Sequence, residues 1–259
     1  MIINRIKKLF YQRDILAEMV FKQFRASYSG AMLGVWWAII IPCILAVCIN
    51  IIFTTVFKIN IENFTFFVLS GILPWLFFSA AVVEATNSFL TDAAMFRQKM
   101  LPLEFVPFKS VLSNFLSFLI GIGFLLPFFI ISNIQIIKVL PALIFVFIFN
   151  LIFILGLSLI FAVINVYSRD IIHFLSVGLM VWFWITPVFY SLNMVPYPYR
   201  WISILNPMTY YVTSYRSILF YGKLPSLPVA VTGIVLALIF IIAGNLFLIK
   251  KEPSLLKQL

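Results

Sequence analysis

The chain has 259 residues and a formal charge of +10, yet only 26 of its residues are Lys, Arg, Asp or Glu and 64% are hydrophobic. A soluble domain ordinarily carries about 25% charged residues, and the 10% present here cannot cover a water-facing surface. This excludes a soluble globular class and predicts an all-α polytopic membrane protein whose element lengths are set by the bilayer.

In chain order, the first segment, MIINRIKKLFYQRDILAEMVFKQFR, interleaves apolar residues with charge and lacks the continuous apolar run of a secretory signal. Ile6, Leu9, Phe10, Leu16, Val20 and Phe24 recur at helical spacing, while Lys7, Lys8, Gln12, Asp14, Glu18, Lys22 and Arg25 supply polar surface. That pattern predicts a cytoplasmic interface helix within residues 1–30, followed by a transmembrane domain over 31–259. No Lys, Arg, Asp or Glu occurs between Arg25 and Lys58, Glu62 and Glu84, Lys109 and Lys138, Lys138 and Arg169, Asp170 and Arg200, or Lys223 and Lys250. Each interval holds the ~20 apolar residues that cross a bilayer core. Segments without water must satisfy their backbone internally, so six transmembrane helices are expected near 31–57, 64–87, 106–131, 139–166, 171–191 and 227–249. Cys43 and Cys48 are five residues apart in the first of these, too far along one rigid helix for a disulfide.

Two further segments do not fit simple spans. Residues 87–105, NSFLTDAAMFRQKMLPLEF, are too polar to cross and long for a hairpin, and predict a short helix ended near Pro102. Residues 201–222, WISILNPMTYYVTSYRSILFYG, are oily, but Asn206-Pro207 interrupts them. Arg216 near a bilayer centre would cost roughly 3 kcal/mol. A re-entrant helical hairpin dipping from the outer face, within 196–224 and between the fifth and sixth spans, meets both objections.

With six spans both termini share a side. That side receives Arg5, Lys7, Lys8, Arg13, Lys22, Arg25, Arg97, Lys99, Lys109, Arg169, Lys250, Lys251 and Lys257, against Lys58, Lys138, Arg200, Arg216 and Lys223 opposite. Thirteen against five puts both termini in the cytoplasm. The same rule accounts for the net positive charge, so nucleic acid is not expected as a partner.

Catalytic signatures are missing. The single histidine, His173, rules out an HExxH zinc site, and Gly222-Lys223 lacks the remainder of a P-loop. The chain is therefore expected to bind no metal or cofactor, to have no catalytic residue, and to draw on energy supplied elsewhere. Arg169, Asp170 and His173 read as a water-facing turn between two spans, and Glu84 as an interfacial or helix-packing residue rather than a proton carrier. An ion-coupled transporter would carry midplane charges and internal repeats, neither of which is evident. Aromatic residues make up 18% of the chain and cluster at Trp36 and Trp37, Phe77 and Phe78, Trp182, Phe183 and Trp184, and Phe189 and Tyr190. Such faces stack on the apolar faces of sugars, and they serve equally for lipid contact and helix packing. Near the last cluster, Pro187 is expected to loosen the fifth span.

Five stretches in order, FKQFRASYSGAMLGVWWAIIIP at 21–42, GILPWLFFSAAVVEATNSF at 71–89, NVYSRD at 165–170, TPVFY at 186–190 and WISILNPMT at 201–209, together resemble one family. This is the permease subunits of bacterial ABC-2-type exporters for O-antigen, capsule and teichoic-acid polysaccharides. The segment MFRQKMLPLEFVP matches it in position and closing proline pattern more than in wording.

The resemblance implies a homodimer in the bacterial inner membrane paired with two copies of an ABC ATPase, which would bind the ATP and Mg. It implies a polyprenyl-pyrophosphate-linked polysaccharide as substrate, most of all lipopolysaccharide O-antigen. ATPase coupling is then expected at Asp92, Phe96, Arg97 and Lys99, and the lipid pyrophosphate at Arg5, Lys7, Lys8, Lys22 and Arg25. Trp36, Trp37, Trp182, Phe183, Trp184, Phe189 and Tyr190 are expected to line the substrate channel. A drug or small-lipid exporter permease of the same broad fold is the nearest alternative, and a polytopic membrane enzyme a more distant one.

Overall fold

The computed structural model describes residues 12–56, 61–92 and 102–258, and every regular element among them is helical. Helix α1 runs Arg13–Tyr28, and a 3-10 turn at Gly34–Trp36 leads into α2, Trp37–Ile51, which widens into a π-type turn at Ile52–Val56. Three long helices follow, α3 at Phe64–Thr91, α4 at Phe105–Ser132 and α5 at Ile136–Tyr167. The chain continues as α6, Ile171–Ile185, two short helices α7, Arg200–Leu205, and α8, Pro207–Leu219, and a long final helix α9, Leu227–Gln258.

Among the described residues five stretches are long and apolar enough to cross a bilayer, Gly34–Thr55 and helices α3, α4, α5 and α9. These apolar helices make the chain a multi-pass membrane protein, since lipid offers backbone groups no partner outside the helix. Helix α6 is apolar but has only 15 residues, about 22 Å at 1.5 Å per residue. It ends six residues before the expected limit at 191. Pro187 has no amide to donate and disfavours helical geometry in the residue before it, and Thr186 is extended at φ −78°, ψ 133°. Helix α9 departs in the other direction, continuing past Lys250 because Leu248 and Leu255 are both fully buried against Phe89, Leu103 and Leu159.

Helix α3 is the centre of the bundle. Phe67, Val68, Phe78, Ala81, Val82 and Ala85 are each 0% exposed, and the helix is packed by α2, α4, α5 and α8. The closest approach is between α5 and α9. A Cβ on Gly156 would sit 2.3 Å from the Phe240 carbonyl carbon, so only glycine lets the two backbones meet here.

The helices define two poles. At one, the ends of α3, α4, α5 and α9 converge with α1, and Tyr167 shares a hydrogen bond with Ser254. At the other, Asn133 at the end of α4 donates to the Phe220 carbonyl after α8 at 3.1 Å. Among the described residues the α1 pole carries Arg13, Lys22, Arg25, Lys109, Arg169, Lys250, Lys251 and Lys257, and the opposite pole Lys138, Arg200, Arg216 and Lys223.

Candidate substrate-handling site

The opposite pole is organised by two polar side chains of the 201–222 segment. Asn206 is the N-cap of α8. Its Oδ1 accepts from the Met208 amide at 2.9 Å and from Trp182 Nε1 at 2.6 Å, while its Nδ2 donates to Thr186 Oγ1 at 2.8 Å. One asparagine thus caps α8 and ties it to the end of α6. Arg216, 4% exposed, donates from Nη1 to the Tyr190 carbonyl at 3.2 Å and from Nη2 to the Val188 carbonyl, with its guanidinium carbon 3.8 Å from the Phe67 ring centroid. The non-helical backbone after Pro187 leaves those carbonyls free to accept, and a cation over an aromatic face adds further attraction. Gly71 makes the room, because a Cβ there would lie 2.7 Å from Arg216 Nη2 and 2.8 Å from the Val188 carbonyl oxygen.

The aromatic residues singled out from the sequence divide between several surroundings. Trp182 is half-buried, 5.1 Å from Phe78 and 6.4 Å from Trp75 between centroids, and held by Asn206. Phe183, Trp184, Phe189 and Tyr190 form one group, with successive centroids of 5.6 Å, 5.3 Å and 5.6 Å along that order. Within it Phe189 is buried and Trp184 is 62% exposed. The Tyr190 hydroxyl donates to the Ile185 carbonyl at 2.8 Å. Trp36 and Trp37 are exposed at the start of α2, remote from that group, whereas Phe53 beyond the far end of α2 touches Phe189 at 5.1 Å.

The α1 pole holds a cavity of about 1040 Å³ between α1, α2, α3, α4 and α6. Glu84 of α3 lies at its wall, accepting from Gln23 Nε2 of α1 at one carboxylate oxygen and from Asn114 Nδ2 of α4 at the other. The carboxylate therefore joins three helices, which is the packing role read from the sequence. Tyr28 reinforces the seat of α1 by donating to Ser117 Oγ at 2.8 Å. At the cavity edge Lys109 Nζ lies 2.8 Å from Asp92 Oδ2, with the lysine side chain 8% exposed and the aspartate 23%. This ion pair clamps the ends of α3 and α4 where the chain enters residues 93–101.

Lys22 and Arg25 are exposed on α1, and Arg169, Asp170 and His173 are exposed at the turn between α5 and α6. Arg5, Lys7 and Lys8 of the expected pyrophosphate set, and Phe96, Arg97 and Lys99 of the expected coupling set, lie outside the described residues. Among the described residues no group of three His, Cys, Asp or Glu side chains is arranged to hold a metal. The sequence reading passed over the polar stripe of α4, Ser110, Ser113, Asn114 and Ser117, all of which line the cavity. Its i, i+3, i+4, i+7 spacing on an apolar helix was the available signal.

The sequence profile of the ABC-2 type transporter family matches residues 16–220. An O-antigen export system permease protein RfbA of Klebsiella pneumoniae is 29% identical over 240 residues, covering 89% of this chain and 91% of that protein. A second protein of that name and organism is 28% identical over 222 residues, covering 83% and 84%. The protein of the same name from Myxococcus xanthus is 28% identical over 260 residues, covering 96% and 97%.

Proposed function

The chain belongs to the ABC-2 type transporter family, and on that premise we propose that it is the permease subunit of a polysaccharide exporter, with lipopolysaccharide O-antigen as its cargo. The observation that carries this reading is the near full-length similarity to permeases named for O-antigen export, up to 96% of this chain and 97% of the relative. The cargo is a glycan on a polyprenyl pyrophosphate lipid. The permease works as a homodimer in the bacterial inner membrane, with two copies of a separate ABC ATPase binding ATP and Mg on the cytoplasmic side.

In this reading the α1 pole is cytoplasmic, supported by the excess of Lys and Arg there. Helix α6 together with the non-helical segment 186–190 makes the fifth of six crossings. Helices α7 and α8 form a hairpin re-entering from the outer face, supported by the enclosure of Arg216 within protein contacts. The expected loop 87–105 is narrower, since α3 continues to Thr91 and α4 starts at Phe105; the connection between them receives the ATPase, with Asp92, Phe96, Arg97 and Lys99 at the contact. The Asp92–Lys109 ion pair then passes its displacement to α3 and α4. The basic residues Arg5, Lys7, Lys8, Lys22 and Arg25 attract the pyrophosphate through charge-assisted hydrogen bonds. Trp36, Trp37, Phe183, Trp184 and Tyr190 offer the moving glycan sliding contacts on the faces the two subunits expose when they part, with the buried Phe189 and the Asn206-held Trp182 behind them.

Neutralising Arg5, Lys7, Lys8, Lys22 and Arg25 to Gln tests the substrate end of this reading. Surface O-antigen is expected to fall at least tenfold in a strain dependent on the variant, with copurification of the ATPase unchanged. Full export by the neutralised protein would remove these residues from substrate handling.

A further inference from the structure

The cavity at the α1 pole combines features that neither packing nor ATPase coupling requires. Among the described residues its single unneutralised charge is Glu84, because Asp92 is paired with Lys109. The Glu84 carboxylate meets two amide groups and, among the described residues, no cation. An ionised carboxylate has about four acceptor positions, so two remain for further donors. One helical turn along α3, the Asn87 side chain lines the same cavity and has no hydrogen-bond partner among the described residues. Ser110 and Ser113 of α4 face it from the other side, and Trp37, 40% exposed, supplies an aromatic wall.

A mostly apolar cavity with a few convergent polar groups is the ordinary form of a small-ligand site. The charge here selects the ligand class. A phosphate or diphosphate would be repelled by Glu84, whereas an uncharged group rich in hydroxyl donors finds a carboxylate, an amide and two serines, with an aromatic face alongside. Resting on the reading of the protein as a permease for a lipid-linked polysaccharide, we propose that this cavity is a sugar-binding site. It takes the sugar unit next to the lipid, while the diphosphate stays outside with Lys22 and Arg25 on the exposed side of α1. Recognition of the cargo is thereby divided, with charge reading the lipid head and hydroxyls reading the first sugar.

The test uses the full permease–ATPase complex in nanodiscs and two probes, undecaprenyl diphosphate with and without one N-acetylglucosamine. Their affinities are measured for the wild type and for Asn87→Ala and Trp37→Ala. The wild type is expected to bind the sugar-bearing lipid at least tenfold more tightly than the bare lipid. Both variants are expected to lose that preference while binding the bare lipid as the wild type does. Asn87 has no side-chain partner to forfeit among the described residues, so its replacement is expected to leave the bundle intact, and a melting curve on each variant checks this. Equal wild-type affinity for the two probes would overturn the sugar site and leave the lipid-linked substrate standing. A preference that survives both substitutions would move the site elsewhere. Binding of neither probe would instead overturn the functional reading on which the proposal rests.

Discussion

Arg216 is the residue on which the opposite pole depends. Its two donors satisfy the carbonyls that the chain exposes after Pro187, and its charge lies over Phe67 rather than in lipid. Removing it leaves the buried Val188 carbonyl without this donor, at roughly 1–3 kcal/mol, and the half-buried Tyr190 carbonyl without its own at a smaller cost. Arg216→Ala is therefore expected to lower the melting temperature of the detergent-solubilised protein by several degrees, whereas an unchanged melting temperature would contradict the role. Gly71→Ala sets two effects in competition. Alanine in place of glycine within a helix gains up to about 1 kcal/mol, but the new methyl would press on Arg216 and on the fixed Val188 carbonyl, an overpacking worth typically 1–3 kcal/mol. The clash wins because the backbone oxygen cannot turn aside, so Gly71→Ala is expected to destabilise, and a stabilised protein would refute this. The sequence already required that Arg216 be shielded. It did not reveal the shield, because Gly71, Val188 and Arg216 are far apart in the chain and carry no shared pattern.

Among the elements, the α3–α4 hairpin joins the cavity to residues 93–101. The nearly buried Asp92–Lys109 pair at its base is a rigid link, and loss of one partner leaves a charge enclosed without its counterpart. Lys109→Gln is expected to leave ATPase association intact and to cut export severalfold relative to ATP hydrolysis in the purified complex. An unchanged ratio of the two rates would show that the pair does not transmit motion. Most helix positions were readable because charges interrupt the apolar runs, and the break at Asn206-Pro207 was explicit in the residues. The end of α6 was misjudged because a proline at 187 permits either a kink or a stop. The choice was made by Asn206, which holds Thr186 and Trp182 from another element. The polar cluster of Glu84, Gln23 and Asn114 was illegible for the same reason, since it joins three helices that only the fold brings together. The α4 stripe, by contrast, was written in the sequence at helical spacing.

For the whole molecule, sidedness connects the fold to export. In a background with Cys43 and Cys48 replaced by Ser, a cysteine at position 223 is expected to react with a membrane-impermeant maleimide in cells whose outer membrane alone has been opened. Cysteines at 168 and 250 should react only after the inner membrane is breached. Labelling of 223 and 250 from the same side would contradict an odd number of crossings between them. Transport in proteoliposomes containing the permease and an ABC ATPase that copurifies with it tests whether the protein moves a lipid-linked polysaccharide at the expense of a partner's ATP. The account predicts ATP-dependent transfer of polyprenyl-diphosphate-linked O-polysaccharide to the leaflet opposite the ATPase, abolished by a hydrolysis-deficient partner. A complex that assembles and hydrolyses ATP while the lipid-linked glycan stays on its original side would contradict it.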